Sequence, residues 1–169
     1  RRKERNRKIE FKGRPVGLAL PGLVCGWEQV ERVSENIPSQ AQTLVARFWP
    51  GALTLVVRKA LGLPDRLTAG GPTVAVRMPD HPAPIGLIHG LGGPITGTSA
   101  NISGSADLLT LSELTVELEG IVDYIVTDGP EPQGTASTVV DITSGQPKLM
   151  REGAIPFEQV LQTWETALN

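Results

Sequence analysis

Ala41, Leu44, Val45 and Phe48 stand at positions i, i+3, i+4 and i+7, the spacing of one apolar face of a helix. Further along, Val74 and Val76 alternate with Thr73, Ala75 and Arg77, the period of a half-buried strand. Segments of these two kinds take turns through the whole chain, and that alternation narrows the fold more than any other feature. Strands are expected at "LALPGLVCG", where Pro21 interrupts, and at "ALTLVVRK", "TVAVRMP", "PIT", "DYIVTDG" and "STVVDIT". Helices are expected over "SQAQTLVARFW", "APIGLIHGLGG" and "LSELTVEL", the last started by Thr110 and Glu113 as a capping box. A final helix begins at Pro156 and carries Phe157, Val160, Leu161, Trp164 and Leu168 on one stripe. The implied architecture is α/β, a mixed sheet with flanking helices. With 169 residues, 40% of them apolar, and no repeat or linker, the chain suits one domain that needs neither metal nor disulfide to bury a core.

Several chemistries drop out. There is no G-x-x-x-x-G-K-[ST] loop and no G-x-G-x-x-G after a strand. Ser99, in "GTSAN", lacks the second glycine of a nucleophile elbow, and His81 and His89 read as a loop residue and a helix-surface residue. The single Cys25 cannot form an internal disulfide and reads as a buried thiol in a strand. No Cys, His and carboxylate cluster has zinc spacing, so the expected metal is Mg2+ carried on substrate phosphates. No run of roughly 18 apolar residues is present to span a bilayer, and a cytoplasmic, reducing location is expected.

Charge is uneven. Residues 1–14 hold eight basic residues against two acidic ones, a local charge of +6 in a chain of net charge -2. Such an arm is either a solvated helix end or a contact for phosphate or nucleic acid. "KGRP" ends it, placing Lys12 and Arg14 at an exit turn. "LGLPDRLTAGGPT" is a Gly- and Pro-rich loop suited to a lid or an ordered binding loop. "GPITGTSANISG", residues 93–104, is built of hydroxyls, an amide and glycines. It reads as a tight turn or as a pocket wall in which Gly97 and Gly104 let backbone approach a ligand, with Ser99 and Asn101 presenting donors.

The blocks "KGR", "FWPGALTLVV", "TVAVRMP", "TSAN", "STVVD" and "LMREGAI", in that order over nearly the whole chain, resemble the YrdC/TsaC family, the L-threonylcarbamoyladenylate synthases. The resemblance implies a YrdC-like twisted mixed sheet in a single domain over residues 1–169. It implies condensation of L-threonine, bicarbonate and ATP into threonylcarbamoyl-AMP and pyrophosphate, the first step of threonylcarbamoyladenosine modification of tRNA. It assigns Lys12, Arg14, Ser99 and Asn101 as the catalytic tetrad. Thr73, Arg77, Ser137 and Arg151 join Arg14, Ser99 and Asn101 in binding substrate and ATP. The implied partners are ATP with its Mg2+, L-threonine, bicarbonate, tRNA or double-stranded RNA, and other tRNA-modification proteins. The residue types suit that chemistry, because expelling pyrophosphate concentrates negative charge that Arg forks and a mobile Lys can hold.

The chain departs from the family where a Thr-x-Thr-x-Tyr-Gly-Leu strand would precede Lys12, and where Leu18 and Ala19 replace a polar residue and Pro-Leu. An N-terminally truncated domain that binds nucleotide better than threonine is therefore expected. Two further classes stay open: a carbamoyl-transfer domain acting on carbamoyl phosphate, and a noncatalytic RNA-binding or inactive homologue.

Overall fold

The computed structural model describes residues 20–98, 110–130 and 134–167. The basic arm, Lys12, Arg14, Ser99, Asn101, Gly104 and Leu168 lie outside them.

Seven strands among the described residues form one sheet. They are β1 (Gly22–Leu23), β2 (Ser34–Glu35), β3 (Leu53–Lys59), β4 (Thr73–Arg77), β5 (Ile95–Thr96), β6 (Thr138–Asp141) and β7 (Lys148–Arg151). The order is β5-β1-β4-β3-β6-β7, with β2 paired to the last residues of β3. β1 runs parallel to β4 and β3 parallel to β6, while β1/β5, β3/β4 and β6/β7 are antiparallel. The sheet is mixed, as expected.

The helices are α1 (Trp27–Val33), α2 (Gln40–Phe48), α3 (Asp65–Thr68), α4 (Pro82–Leu91), α5 (Leu111–Leu118) and α6 (Phe157–Thr166). Leu53, Leu55, Val57, Val74, Val76 and Val140 turn to one face of the sheet, where Val30 of α1, Ala41 and Leu44 of α2, and Val160 and Trp164 of α6 join them in one buried cluster. Each buried Val or Leu among them contributes about 1.5–3 kcal/mol by leaving water. On the alternate positions, Val56, Ala75, Arg77, Val139 and Asp141 are only half-buried. This second face holds the candidate site.

One expectation changes. "DYIVTDG" forms no strand: Tyr124 is 82% exposed and Val126 45% exposed, and no described strand pairs with the segment. Alternating apolar residues supply strand propensity, but a strand needs a ladder partner, and tertiary context decides whether it has one. "LGLPDRLTAGGPT" contains one helical turn, α3, and its Leu63 packs against the core. The helix α1 was hidden by its brevity, although Trp27, Val30 and Val33 keep a three-residue spacing. The capping box of α5 forms as expected: Glu113 N donates to Thr110 Oγ1 at 3.2 Å and Thr110 N to Glu113 Oε2 at 3.0 Å.

Candidate functional site

Strand directions place the C-terminal ends of β4 and β7 beside the N-terminal ends of β3 and β6. Arg77 is the last residue of β4, Arg151 the last of β7, and Ser137 immediately precedes β6. All three therefore meet at one end of the sheet. Ser137 alternates with the inward-facing Thr138, and so shares the second face with Thr54 of β3.

Arg151 clasps Ser137. Its Nε and Nη2 donate to the Ser137 carbonyl at 3.1 and 2.8 Å, and Nη2 also reaches Ser137 Oγ at 3.2 Å. The planar guanidinium supplies that fork, which a lysine cannot. Arg77 Nε donates to the Gly51 carbonyl at 2.8 Å, fixing the head of the side chain against the turn that enters β3. Its two terminal nitrogens have no hydrogen-bond partner among the described residues. Burial, and then the nearby positive charge of Arg151, hold the Arg77 guanidinium below its ordinary pKa. Among the described residues no carboxylate forms an ion pair with either arginine. Two cations brought together without a counter-charge make a place for an anion.

The turn after β7 braces this arrangement. Thr138 Oγ1, fully buried, donates to the Ile155 carbonyl at 2.6 Å and accepts from Gly153 N at 2.9 Å and Ile155 N at 3.1 Å. Gly153 lies so close to the preceding chain that a Cβ there would meet Ser137 C at 2.6 Å and Ser137 O at 2.8 Å, as well as the Ala136 carbonyl. Only glycine lets "REGAI" fold back onto residues 136–137.

Of the residues singled out from sequence, Arg77, Ser137 and Arg151 come together. Thr73 does not: it opens β4 and pairs with Arg58, four residues from Arg77, about 13 Å at strand rise. The two share a face, so one ligand touching both must lie along β4. Gly97 packs against the Leu23 side chain, with Leu23 Cγ 2.8 Å from where a Cβ would stand, so its small size serves strand packing. Lys12, Arg14, Ser99 and Asn101 are outside the described residues. Cys25 lies just beyond β1, half-exposed rather than buried, with Sγ 3.9 Å from His89 Nδ1. His81 caps α4 by accepting from Ala83 N at 3.1 Å.

Sequence reading missed Thr54, Gly51, Thr138 and Gly153. All four lie inside blocks already noted, but their roles depend on the β3/β6 register and on the fold-back after β7, which no local pattern encodes.

The described donors suit phosphate or carboxylate oxygens. No group of three His, Cys, Asp or Glu side chains among the described residues is arranged to hold a metal ion.

The Sua5_yciO_yrdC family model, described as Telomere recombination, matches residues 2–153. The threonylcarbamoyl-AMP synthase of Pyrococcus abyssi (strain GE5 / Orsay) is 39% identical over 154 residues, 91% of this chain and 45% of that protein. The threonylcarbamoyl-AMP synthase of Bacillus subtilis (strain 168) is 41% identical over 152 residues, 89% of this chain and 44% of that protein. The chain thus spans less than half the length of these two relatives. The crystal structure of P. abyssi Sua5 complexed with L-threonine superposes with a TM-score of 0.87 at 38% identity, covering 94% of this chain and 46% of that one.

Proposed function

The chain belongs to the Sua5/YciO/YrdC family, and on that premise we propose that it forms threonylcarbamoyl-AMP for tRNA modification from L-threonine, bicarbonate and ATP, with release of pyrophosphate. The observation that carries this reading is the Arg77–Ser137–Arg151 end of the sheet, two guanidiniums and a hydroxyl with no carboxylate paired to them among the described residues.

The threonine amine joins the carbon of bicarbonate with loss of water, giving a carbamate. A carbamate oxygen then attacks the α-phosphorus of ATP, the bond to the bridging oxygen breaks, and pyrophosphate leaves. Little proton transfer has to be arranged, so catalysis is positioning and charge neutralisation. Arg77, half-buried and with terminal nitrogens that no described residue engages, suits the threonine carboxylate, with Ser137 beside it. Arg151 is exposed and suits the strongly hydrated phosphates. A nucleotide lying along β4 brings Thr73 into the same site. Lys12, Arg14, Ser99 and Asn101 complete it by the family pattern. Mg2+ carried on the ATP phosphates would neutralise part of their charge, leaving the remainder to the arginines. The basic arm meets tRNA or double-stranded RNA, through steeply salt-dependent phosphate contacts.

The test is pyrophosphate release with each substrate omitted in turn. The reading expects release only when ATP, L-threonine and bicarbonate are all present. Turnover with carbamoyl phosphate in their place would assign the chain to carbamoyl transfer instead.

A further inference from the structure

Thr54, on the central strand β3, is 5% exposed, yet it carries a hydroxyl where Leu53, Leu55 and Val56 beside it on the same strand and Val139 across on β6 are aliphatic. Its Oγ1 stands 2.8 Å from Ser137 Oγ, and among the described residues that is its only hydrogen-bond partner. Ser137 Oγ is also approached by Arg151 Nη2 at 3.2 Å. A serine hydroxyl has one proton and two lone pairs. If Ser137 gave its proton to Thr54, the Thr54 proton would be buried with no described acceptor, an arrangement that proteins avoid. The arrangement that satisfies both groups has Thr54 and Arg151 each donating into one lone pair of Ser137. Both lone pairs are then taken, and the Ser137 proton has no place left except outward, toward the anion site.

We propose that Thr54 is a positioning residue, which fixes Ser137 as a hydrogen-bond donor to the carboxylate of the bound amino acid. The proposal rests on the reading of the site given above. Thr54 does not touch the ligand; it acts by setting which way another hydroxyl points. A valine at the same position has nearly the same shape and β-branching, so it keeps the strand packing but leaves Ser137 free to turn its proton inward. Serine at position 54 keeps the hydroxyl and should keep the function.

The experiment has two readouts on the full chain. In the first, Thr54→Val, Thr54→Ser, Ser137→Ala and the Thr54→Val/Ser137→Ala double variant are titrated calorimetrically with L-threonine and, separately, with ATP. Expected results are a roughly tenfold weaker L-threonine affinity in Thr54→Val, near-normal affinity in Thr54→Ser, and no further loss when Thr54→Val is added to Ser137→Ala; about tenfold corresponds to ~1.4 kcal/mol. ATP affinity should move much less. Unchanged L-threonine affinity in Thr54→Val, or additive losses in the double variant, overturns the proposal.

The second readout needs no ligand. The hydroxyl protons are followed by NMR, and the slowly exchanging one should belong to Thr54 and disappear in Ser137→Ala. A slow proton on Ser137 instead reverses the donor direction and overturns the proposal even if threonine binds. If the unaltered chain binds no L-threonine while the Thr54 proton behaves as expected, it is the substrate assignment that fails, and the hydroxyl relay stands.

Discussion

Replacing Gly153 with alanine places one methyl group where the chain has no room. The new Cβ would meet Ser137 C at 2.6 Å and Ser137 O at 2.8 Å, and also the Ala136 carbonyl. These are backbone atoms in the approach to β6, so no rotamer change relieves the contact and the 152–155 turn must lift away. Overpacking of this kind costs about 1–3 kcal/mol. Lifting the turn also weakens the bonds from Gly153 N to Thr138 Oγ1 at 2.9 Å and from Ala154 N to the Ala136 carbonyl at 2.9 Å. Each such bond is worth about 0.5–1.5 kcal/mol. The total is at most about 2–6 kcal/mol, which for a chain of this size lowers Tm by roughly 4–24 °C. Gly86→Ala in α4 is the control, because nothing lies within 4 Å of the added methyl. Alanine there should leave Tm unchanged or raise it slightly, by removing a helix-interior glycine. Thermal unfolding of the three proteins decides the matter. Equal melting temperatures for Gly153→Ala and Gly86→Ala would show that the turn yields freely and that the fold-back does not hold Ser137 in place.

Other consequences follow from the same geometry. Thr138→Val deletes a fully buried hydroxyl that makes three hydrogen bonds, so its urea midpoint should fall by an amount equivalent to roughly 2–4 kcal/mol with little change in slope. Arg151→Lys keeps the charge but loses the fork onto the Ser137 carbonyl, and the KM for ATP should rise about tenfold; an unchanged KM would mean that charge alone suffices. The Asp65 carboxyl, lowered first by its hydrogen bond from Lys59 and then by the Lys59 charge, should titrate below the ordinary carboxylate value of about 3.9 and return to it in Lys59→Met. Because the folded value is the depressed one, whatever stability the pair lends is present above that ordinary value and is lost as pH falls through the folded one, which acid titration followed by NMR can check.

The parts of the fold legible in the sequence are those set by local period. β3 forms where "ALTLVVRK" was expected to, and β4, α2 and α6 bury residues that their spacing marked: Val74 and Val76, Ala41 and Leu44, Val160 and Trp164. The capping box of α5 was legible because its chemistry spans only four residues. β2 and β7 were not read as strands, since two residues of β2 carry no period and β7 is exposed along its length. "DYIVTDG" misled in the opposite sense, showing alternation without a partner. The site was legible as a set of donors in ordered blocks. Arg77, Ser137 and Arg151 are brought together by strand directions that composition cannot reveal, and the same directions put Thr73 at the far end of β4. Thr54 was invisible for a further reason: in sequence it is an ordinary β-branched residue, and only the β3/β6 pairing shows that its hydroxyl faces Ser137.

On the proposed reading, the sheet end carrying Arg77, Ser137 and Arg151 binds the amino-acid carboxylate. Calorimetric titration of L-threonine into the chain, into Arg77→Ala and into Arg47→Ala tests it most directly. Arg47 serves as the control because its guanidinium sits over the Phe48 ring, 5.3 Å from the centroid, on the helix layer of the opposite face. A lost charged hydrogen bond is worth about 1.5–3 kcal/mol, roughly a 10- to 100-fold loss of affinity. That loss is expected in Arg77→Ala and none in Arg47→Ala. Equal L-threonine affinity in all three proteins would contradict it and place the amino-acid site elsewhere on the chain.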